Sequence, residues 1–316
     1  MTKPTRSARS TGSTRPDRQR HITVRYLPSA MTVAAICLGL TAVKYAQDTS
    51  MPEHSRATWA MALLVLAAVL DALDGRIARV LNATSRMGEE IDSLADAINF
   101  GVVPAFIVYA ILLQNLPRVG WLVVLLYAVC VVLRLARFNV LLDVDQPVYA
   151  KNYFVGMPAP AGAVGAVGPI AAKLQLEEWG FRDDWWNTDW ANWVVAVWLV
   201  GVSLLVVSRI PMRKVHTFTV PPTMVAPMLA LLAIGVASAF IFPYLTLLAI
   251  IVAYVIHIPF AVRSKRFLAK HPETWDPKAR QRWAQQRAVR RATRRRSQPH
   301  RRSMARLGLR KPGGRP

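Results

Sequence analysis

The chain has 316 residues, 53% of them hydrophobic, with ten tryptophans and a formal charge of +22 from 40 Lys and Arg against 18 Asp and Glu. Mean hydropathy is positive, which fits an integral membrane protein. The two cysteines, Cys37 and Cys130, both fall in apolar runs and exclude a disulfide framework or a cysteine metal site. The basic excess is terminal: residues 1–25 hold seven Lys/Arg against Asp17, and residues 263–316 hold nineteen against Glu273 and Asp276.

In chain order, residues 1–25 read as a basic, disordered cytoplasmic tail rich in Ser, Thr, Arg and Pro. Residues 26–262 read as an all-α membrane domain of eight spans, at about 27–46, 57–80, 92–114, 119–140, 153–174, 190–209, 222–240 and 243–262. The first span follows a long basic tail, contains Pro28 and lacks a small-residue cleavage site, so it is not expected to be a signal peptide. Residues 263–316 form a polybasic tail directly after the last span. It carries no recognisable nucleic-acid fold, and its position predicts attraction to anionic lipid headgroups, with no nucleic-acid partner.

Loop charge predicts orientation. The loop RIPMRKVH after the sixth span is basic, whereas QDTSMPEH and LEEWGFRDDWWNTDW are acidic or short. The positive-inside rule therefore puts both termini in the cytoplasm of a multi-pass protein of the cell membrane. Trp179, Trp185, Trp186 and Trp190 then read as an outer-face interfacial belt. The loop between the second and third spans then faces the cytoplasm.

Four carboxylates stand inside or at the ends of apolar runs: Asp71 and Asp74 three apart, Asp92 and Asp96 four apart. Ionisable groups at membrane depth are costly and mark function. Each spacing puts its pair on one helix face, so two facing helices can converge all four on one point. Four unneutralised carboxylates repel, which calls for divalent cations there. Gly75 falls between Asp71 and Arg79 around the second span, at roughly 40° steps. Its missing side chain lets a diphosphate approach, Ala78 keeps the same face low, and Arg79 supplies a planar cation for phosphate oxygens.

From Asp71 to Asp96 the chain reads D-x2-D-G-x2-A-R-x8-G-x3-D-x3-D, with Gly88 as the second glycine. This resembles, at every defined position, the signature of the CDP-alcohol phosphatidyltransferase family. DSLADAINFGVVPA, Arg134-Leu135-Ala136-Arg137-Phe138-Asn139 and YFVGMPAPA look like the bacterial phosphatidylserine synthase branch. The resemblance covers about residues 26–262, with the close match from Leu70 to Ala161. It implies a six-span catalytic core plus two further spans, a homodimer, and transfer of the phosphatidyl group of CDP-diacylglycerol to L-serine with release of CMP.

The same resemblance implies site roles. Asp71, Asp74, Asp92 and Asp96 hold Mg²⁺ or Mn²⁺, which hard oxygen ligands do not distinguish. Asp96 is the general base for the serine hydroxyl. Ser29, Thr32, Gly75, Ala78, Arg79, Ser85 and Gly88 bind the donor; Pro28-Ser29-Ala30-Met31-Thr32 corresponds to a Pro-Asn-x-x-Thr element of relatives, with Ser29 in place of Asn. Ser85 also has an ordinary role open to it, capping the next helix. Arg134, Arg137 and Asn139 are expected to hold serine's carboxylate, with interfacial anchoring the competing role for the two arginines. Inositol phosphate and glycerol phosphate stay open as alternative acceptors. A cation-coupled or metal-ion transporter is the non-enzyme reading; it would not need Gly75, Ala78, Arg79 and Gly88 at these spacings, and no inverted repeat is visible.

Overall fold

The computed structural model describes residues 16–81, 83, 85–142, 153–181, 186, 188–213, 224–270 and 285. The expected terminal tails (1–15 and most of 271–316), Trp185, and the end of the RIPMRKVH loop lie outside the described residues. Contacts divide the chain into a unit of residues 1–144, 155–210 and 218–257, and a second of residues 145–154, 211–217 and 258–316. All the candidate site residues lie in the first.

Nine helices carry the described chain: α1 (Pro16–Gln47), α2 (Glu53–Val80), α3 (Arg86–Ala97), α4 (Val103–Val108), α5 (Pro117–Leu142), α6 (Ala159–Glu178), α7 (Asp189–Val207), α8 (Val225–Ile241) and α9 (Pro243–Lys270). Two three-residue strands, β1 (Tyr153–Val155) and β2 (Pro211–Arg213), pair with each other. Six helical stretches are long and apolar enough to cross a membrane: Tyr26–Gln47, Glu53–Val80, Arg86–Leu113, Pro117–Val140, Asp189–Val207 and Pro243–Ser264. The fold is therefore an all-helical, multi-pass membrane bundle. α8, with 17 residues, is a shorter apolar helix, and α6, ending in Glu177 and Glu178 with Lys173 one turn earlier, is not among the six.

Three features depart from the sequence expectation. α1 begins at Pro16, inside the segment expected to be disordered. Pro16 suits a first helical position, and no glycine or further proline intervenes before Pro28. The fifth expected span, 153–174, becomes a helix only at Ala159. Gly156 holds a left-handed φ of +81°, where its Cα sits against the carbonyls of Val206 and Ser208, and Pro158 precedes the first helical residue. The third span runs continuously from Arg86 to Leu113, but π-helical turns at Ile98–Val102 and Tyr109–Leu113 interrupt it. A π-turn disturbs the regular backbone ladder, and here the fully buried Tyr127 donates its hydroxyl to the Phe100 carbonyl at 2.8 Å.

α1 and α2 form the most extensive helix pair, joined by a short turn at 48–52. Asp48 closes that turn, accepting from the Ser50 hydroxyl at 2.5 Å and its backbone N–H at 3.1 Å, which holds its carboxyl below the usual range. At the same end of the bundle, Lys173 on α6 is only 3% exposed. Its ammonium is neutralised by Glu53 on α2 and by Glu177 at 3.9 Å, while His54 meets Glu177 at 2.8 Å. A cation this deep needs such partners, and the pairs clamp α2 to α6. Trp179 and Trp190, from the expected aromatic belt, are exposed near this end.

Candidate active site

The site lies at the opposite end of α2. Asp71 and Asp74 occupy its last three turns, where the helix closes with Arg79 in its last turn, favourably placed on the dipole. Ser85 caps α3 by accepting the Gly88 backbone N–H at 3.1 Å. That cap fixes the start of α3, so Asp92 and Asp96 come back beside the first pair. Carboxylate oxygens of Asp71, Asp74 and Asp92 lie within 4.8 Å of one another. Asp96 stands within hydrogen-bonding reach of Asp71.

Depth grades the four. Asp74 is 1% exposed, Asp71 and Asp96 are half-buried, and Asp92 is exposed at the open side. Thr32 on α1, itself 4% exposed, donates its hydroxyl to Asp74 Oδ2 at 2.6 Å. Asp74 Oδ1 and Asp71 Oδ1 are buried without hydrogen-bond partners among the described residues. Orphaned carboxylate oxygens in a buried cluster are a strong demand for a cation. Hard oxygen donors converging this closely suit Mg²⁺ or Mn²⁺, so the residues fit a divalent metal.

A cavity of about 300 Å³ opens beside the cluster, lined by Pro28, Ser29, Thr32, Asp74, Gly75, Ala78, Arg79, Ala83, Ser85, Gly88, Glu89 and Asp92. All seven residues expected to bind the donor line it. Gly75 has nothing within 4 Å of where a Cβ would stand, so its face is open to a ligand. Arg79 is exposed and its Nε donates to the Gly75 carbonyl at 3.2 Å, which folds the guanidinium back over the glycine. Ser29 from α1 and Ser85 from the cap of α3 both approach Gly88: a Cβ there would meet Ser85 Oγ at 3.1 Å and Ser29 Oγ at 3.8 Å. Ser85 therefore both caps α3 and faces the cavity.

The residues expected to hold the acceptor separate. Arg134 is half-buried on α5 and is an electrostatic neighbour of Asp96. Arg137 is half-buried one turn further along α5. Asn139 is exposed, and its amide donates to Ser93 Oγ on α3 at 3.0 Å, which ties α5 to α3. Sequence reasoning missed Glu89, which lines the cavity. The signal was present, since Glu89, Asp92 and Asp96 fall at i, i+3 and i+7 on one face of α3.

Comparison with known proteins bears on this geometry. Residues 25–198, more than half of the chain, match the family model described as CDP-alcohol phosphatidyltransferase. The chain belongs to that family. It is 56% identical over 302 residues to the CDP-diacylglycerol–serine O-phosphatidyltransferase of Mycobacterium tuberculosis, an alignment covering 95% of this chain and 99% of the relative. The Mycobacterium leprae protein of the same description is 51% identical over 304 residues, covering 96% and 95%. The Bacillus subtilis protein of that description is 36% identical over 137 residues, 43% of this chain and 71% of the relative. α8 and α9 lie beyond the matched family region.

Proposed function

We propose that this protein transfers the phosphatidyl group of CDP-diacylglycerol to the hydroxyl of L-serine and releases CMP. The observation that carries the donor half is the cavity itself: three carboxylates converge beside an open glycine face bordered by Arg79 and two serine hydroxyls. A nucleotide diphosphate needs those parts, and a route for ion transport does not need the glycine, the arginine or the hydroxyls. The acceptor half rests on full-length relatives described as serine O-phosphatidyltransferases.

In this reading the donor's diphosphate lies along Gly75 and Ala78, with Arg79, Ser29 and Ser85 bonding its oxygens and the acyl chains passing between helices. Thr32 fixes the rotamer of Asp74. Asp71, Asp74 and Asp92 would hold the divalent metal, with Asp96 adjacent. When bound, Mg²⁺ or Mn²⁺ supplies charge neutralisation for the diphosphate and for the departing phosphate. Asp96 takes the proton from the serine hydroxyl as that oxygen bonds to the diacylglycerol-linked phosphorus. The bond from phosphorus to the CMP oxygen breaks, and its electron pair leaves with CMP. Position, more than basicity, is what Asp96 contributes, since neighbouring cations favour its charged form.

The basic tails and loops favour an orientation with both termini and this cavity on the cytoplasmic side. The tails then face anionic headgroups. The family resemblance implies a homodimer, which cross-linking in native membranes tests. The function itself is tested by purified protein in detergent with CDP-diacylglycerol and Mn²⁺. CMP release should require added serine and should stop on chelation; release that continues undiminished in EDTA after extensive dialysis contradicts the proposal.

A further inference from the structure

The residues assigned so far lie on α1 to α5, yet a polar group from α9 reaches the same place. Tyr254 Oη and Arg134 Nε are both buried, and neither has a hydrogen-bond partner among the described residues. The two side chains are electrostatic neighbours of each other, and Arg134 is also a neighbour of Asp96. A guanidinium N–H and a phenol O–H are both donors, and donors buried without acceptors are costly. Two of them together, beside the group that accepts the acceptor's proton, describe a seat for a small anionic group.

The placement of Tyr254 follows from the way α9 is anchored. The Tyr244 hydroxyl meets Thr58 Oγ1 on α2 at 2.8 Å. Seven residues on, Ile251 packs so closely on α6 that a Cβ at Gly168 would stand 2.8 Å from its Cδ1. Tyr244, Ile251 and Tyr254 fall on one helix face. α2 and α9 both run away from the Thr58–Tyr244 contact. At 1.5 Å per residue, Tyr254 lies about 15 Å along α9 and Asp71 about 20 Å along α2. The tyrosine thus reaches the depth of the carboxylates within about a turn.

We propose that Tyr254 is an acceptor-binding residue, whose hydroxyl joins Arg134 in holding the carboxylate of an amino-acid acceptor and so aims the acceptor's hydroxyl at Asp96. This rests on the acceptor reading above. It adds that selection for a carboxylate is supplied in part by α9, a helix outside the region matched by the family model.

The test is Tyr254→Phe in the full-length protein, which removes one oxygen and keeps the ring that packs. Kinetics are measured with serine and with serinol, which has a hydroxymethyl group in place of the carboxylate. The serine KM should rise about ten-fold, the scale of one lost hydrogen bond to a charged group. kcat at saturating serine, the KM for CDP-diacylglycerol, and kcat/KM for serinol should stay near wild type. Equal losses with serine and serinol, or an unchanged serine KM in a wild type that uses serine, would make Tyr254 a packing residue only. A wild type that ignores serine overturns the acceptor reading and this inference with it.

Discussion

Thr32→Val removes a single hydroxyl and replaces it with a methyl of similar shape. That hydroxyl has one proton, and two oxygens lie within reach: Asp74 Oδ2 at 2.6 Å and the Pro28 carbonyl at 3.0 Å. The Pro28 carbonyl is that of the residue one turn back in α1, and the shorter, charged acceptor takes the proton. Asp74 is the deepest of the four carboxylates, and its Oδ1 already lacks a partner. Without Thr32 Asp74 would lose its side-chain hydrogen bond on Oδ2, and the carboxylate would be freer to turn from the metal. Groups that orient a metal ligand are worth ~10–100-fold in metal affinity. The expected outcome is an apparent Mn²⁺ constant raised by about that factor, measured by calorimetry with donor analogue present. CMP release should recover substantially at saturating Mn²⁺, and Thr32→Ser should restore near-normal affinity. An unchanged Mn²⁺ constant in a well-folded Thr32→Val protein would refute the orienting role.

Gly75→Ala should leave the melting temperature in detergent unchanged or slightly raised, because the new methyl meets nothing within 4 Å and alanine favours the helix by ~0.5–1 kcal/mol, yet it should raise the KM for CDP-diacylglycerol. Gly156→Ala should do the reverse, destabilising by ~2–4 kcal/mol, since its φ is +81° and a Cβ would stand 2.7 Å from both the Val206 and Ser208 carbonyl oxygens; thermal unfolding checks it. Asp96→Asn should keep donor and Mn²⁺ affinity near wild type while kcat falls ~10²-fold or more, whereas Asp74→Asn should lose both affinities. If calorimetry shows the two variants losing metal alike, Asp96 is chiefly a ligand. The double change Glu53→Gln with Glu177→Gln strands the buried Lys173 ammonium and should lower stability by ~3–5 kcal/mol, more than Lys173→Met, which leaves Glu53 to water.

The catalytic half of the chain was legible because a membrane makes carboxylates conspicuous. Asp71, Asp74, Asp92 and Asp96 stand out against apolar surroundings, and helical spacing alone puts each pair on one face. The convergence of Asp71, Asp74 and Asp92, and a cavity lined by Ser29, Thr32 and Ser85, sit where that spacing points. Hydropathy likewise located the long apolar helices. It gave the wrong start for α6, because Gly156 and Pro158 read as part of an apolar run while they set a turn before the helix. The π-turns of the third span were invisible, since what compensates one of them is the Tyr127 hydroxyl, 27 residues further on. Lys173 with Glu53, 120 residues apart, and Tyr254 with Arg134 are pairings of helices distant in sequence. Periodicity within one helix carries no information about which other helix it meets.

The acceptor is the point on which the account turns. Purified protein with CDP-diacylglycerol and Mn²⁺ should be given equimolar serine, inositol phosphate and glycerol phosphate in one reaction, and the lipid products identified by mass spectrometry. The account predicts phosphatidylserine as the dominant product, with CMP released in equal amount. A phosphatidylinositol phosphate or phosphatidylglycerol phosphate product, with serine left unused, would contradict it.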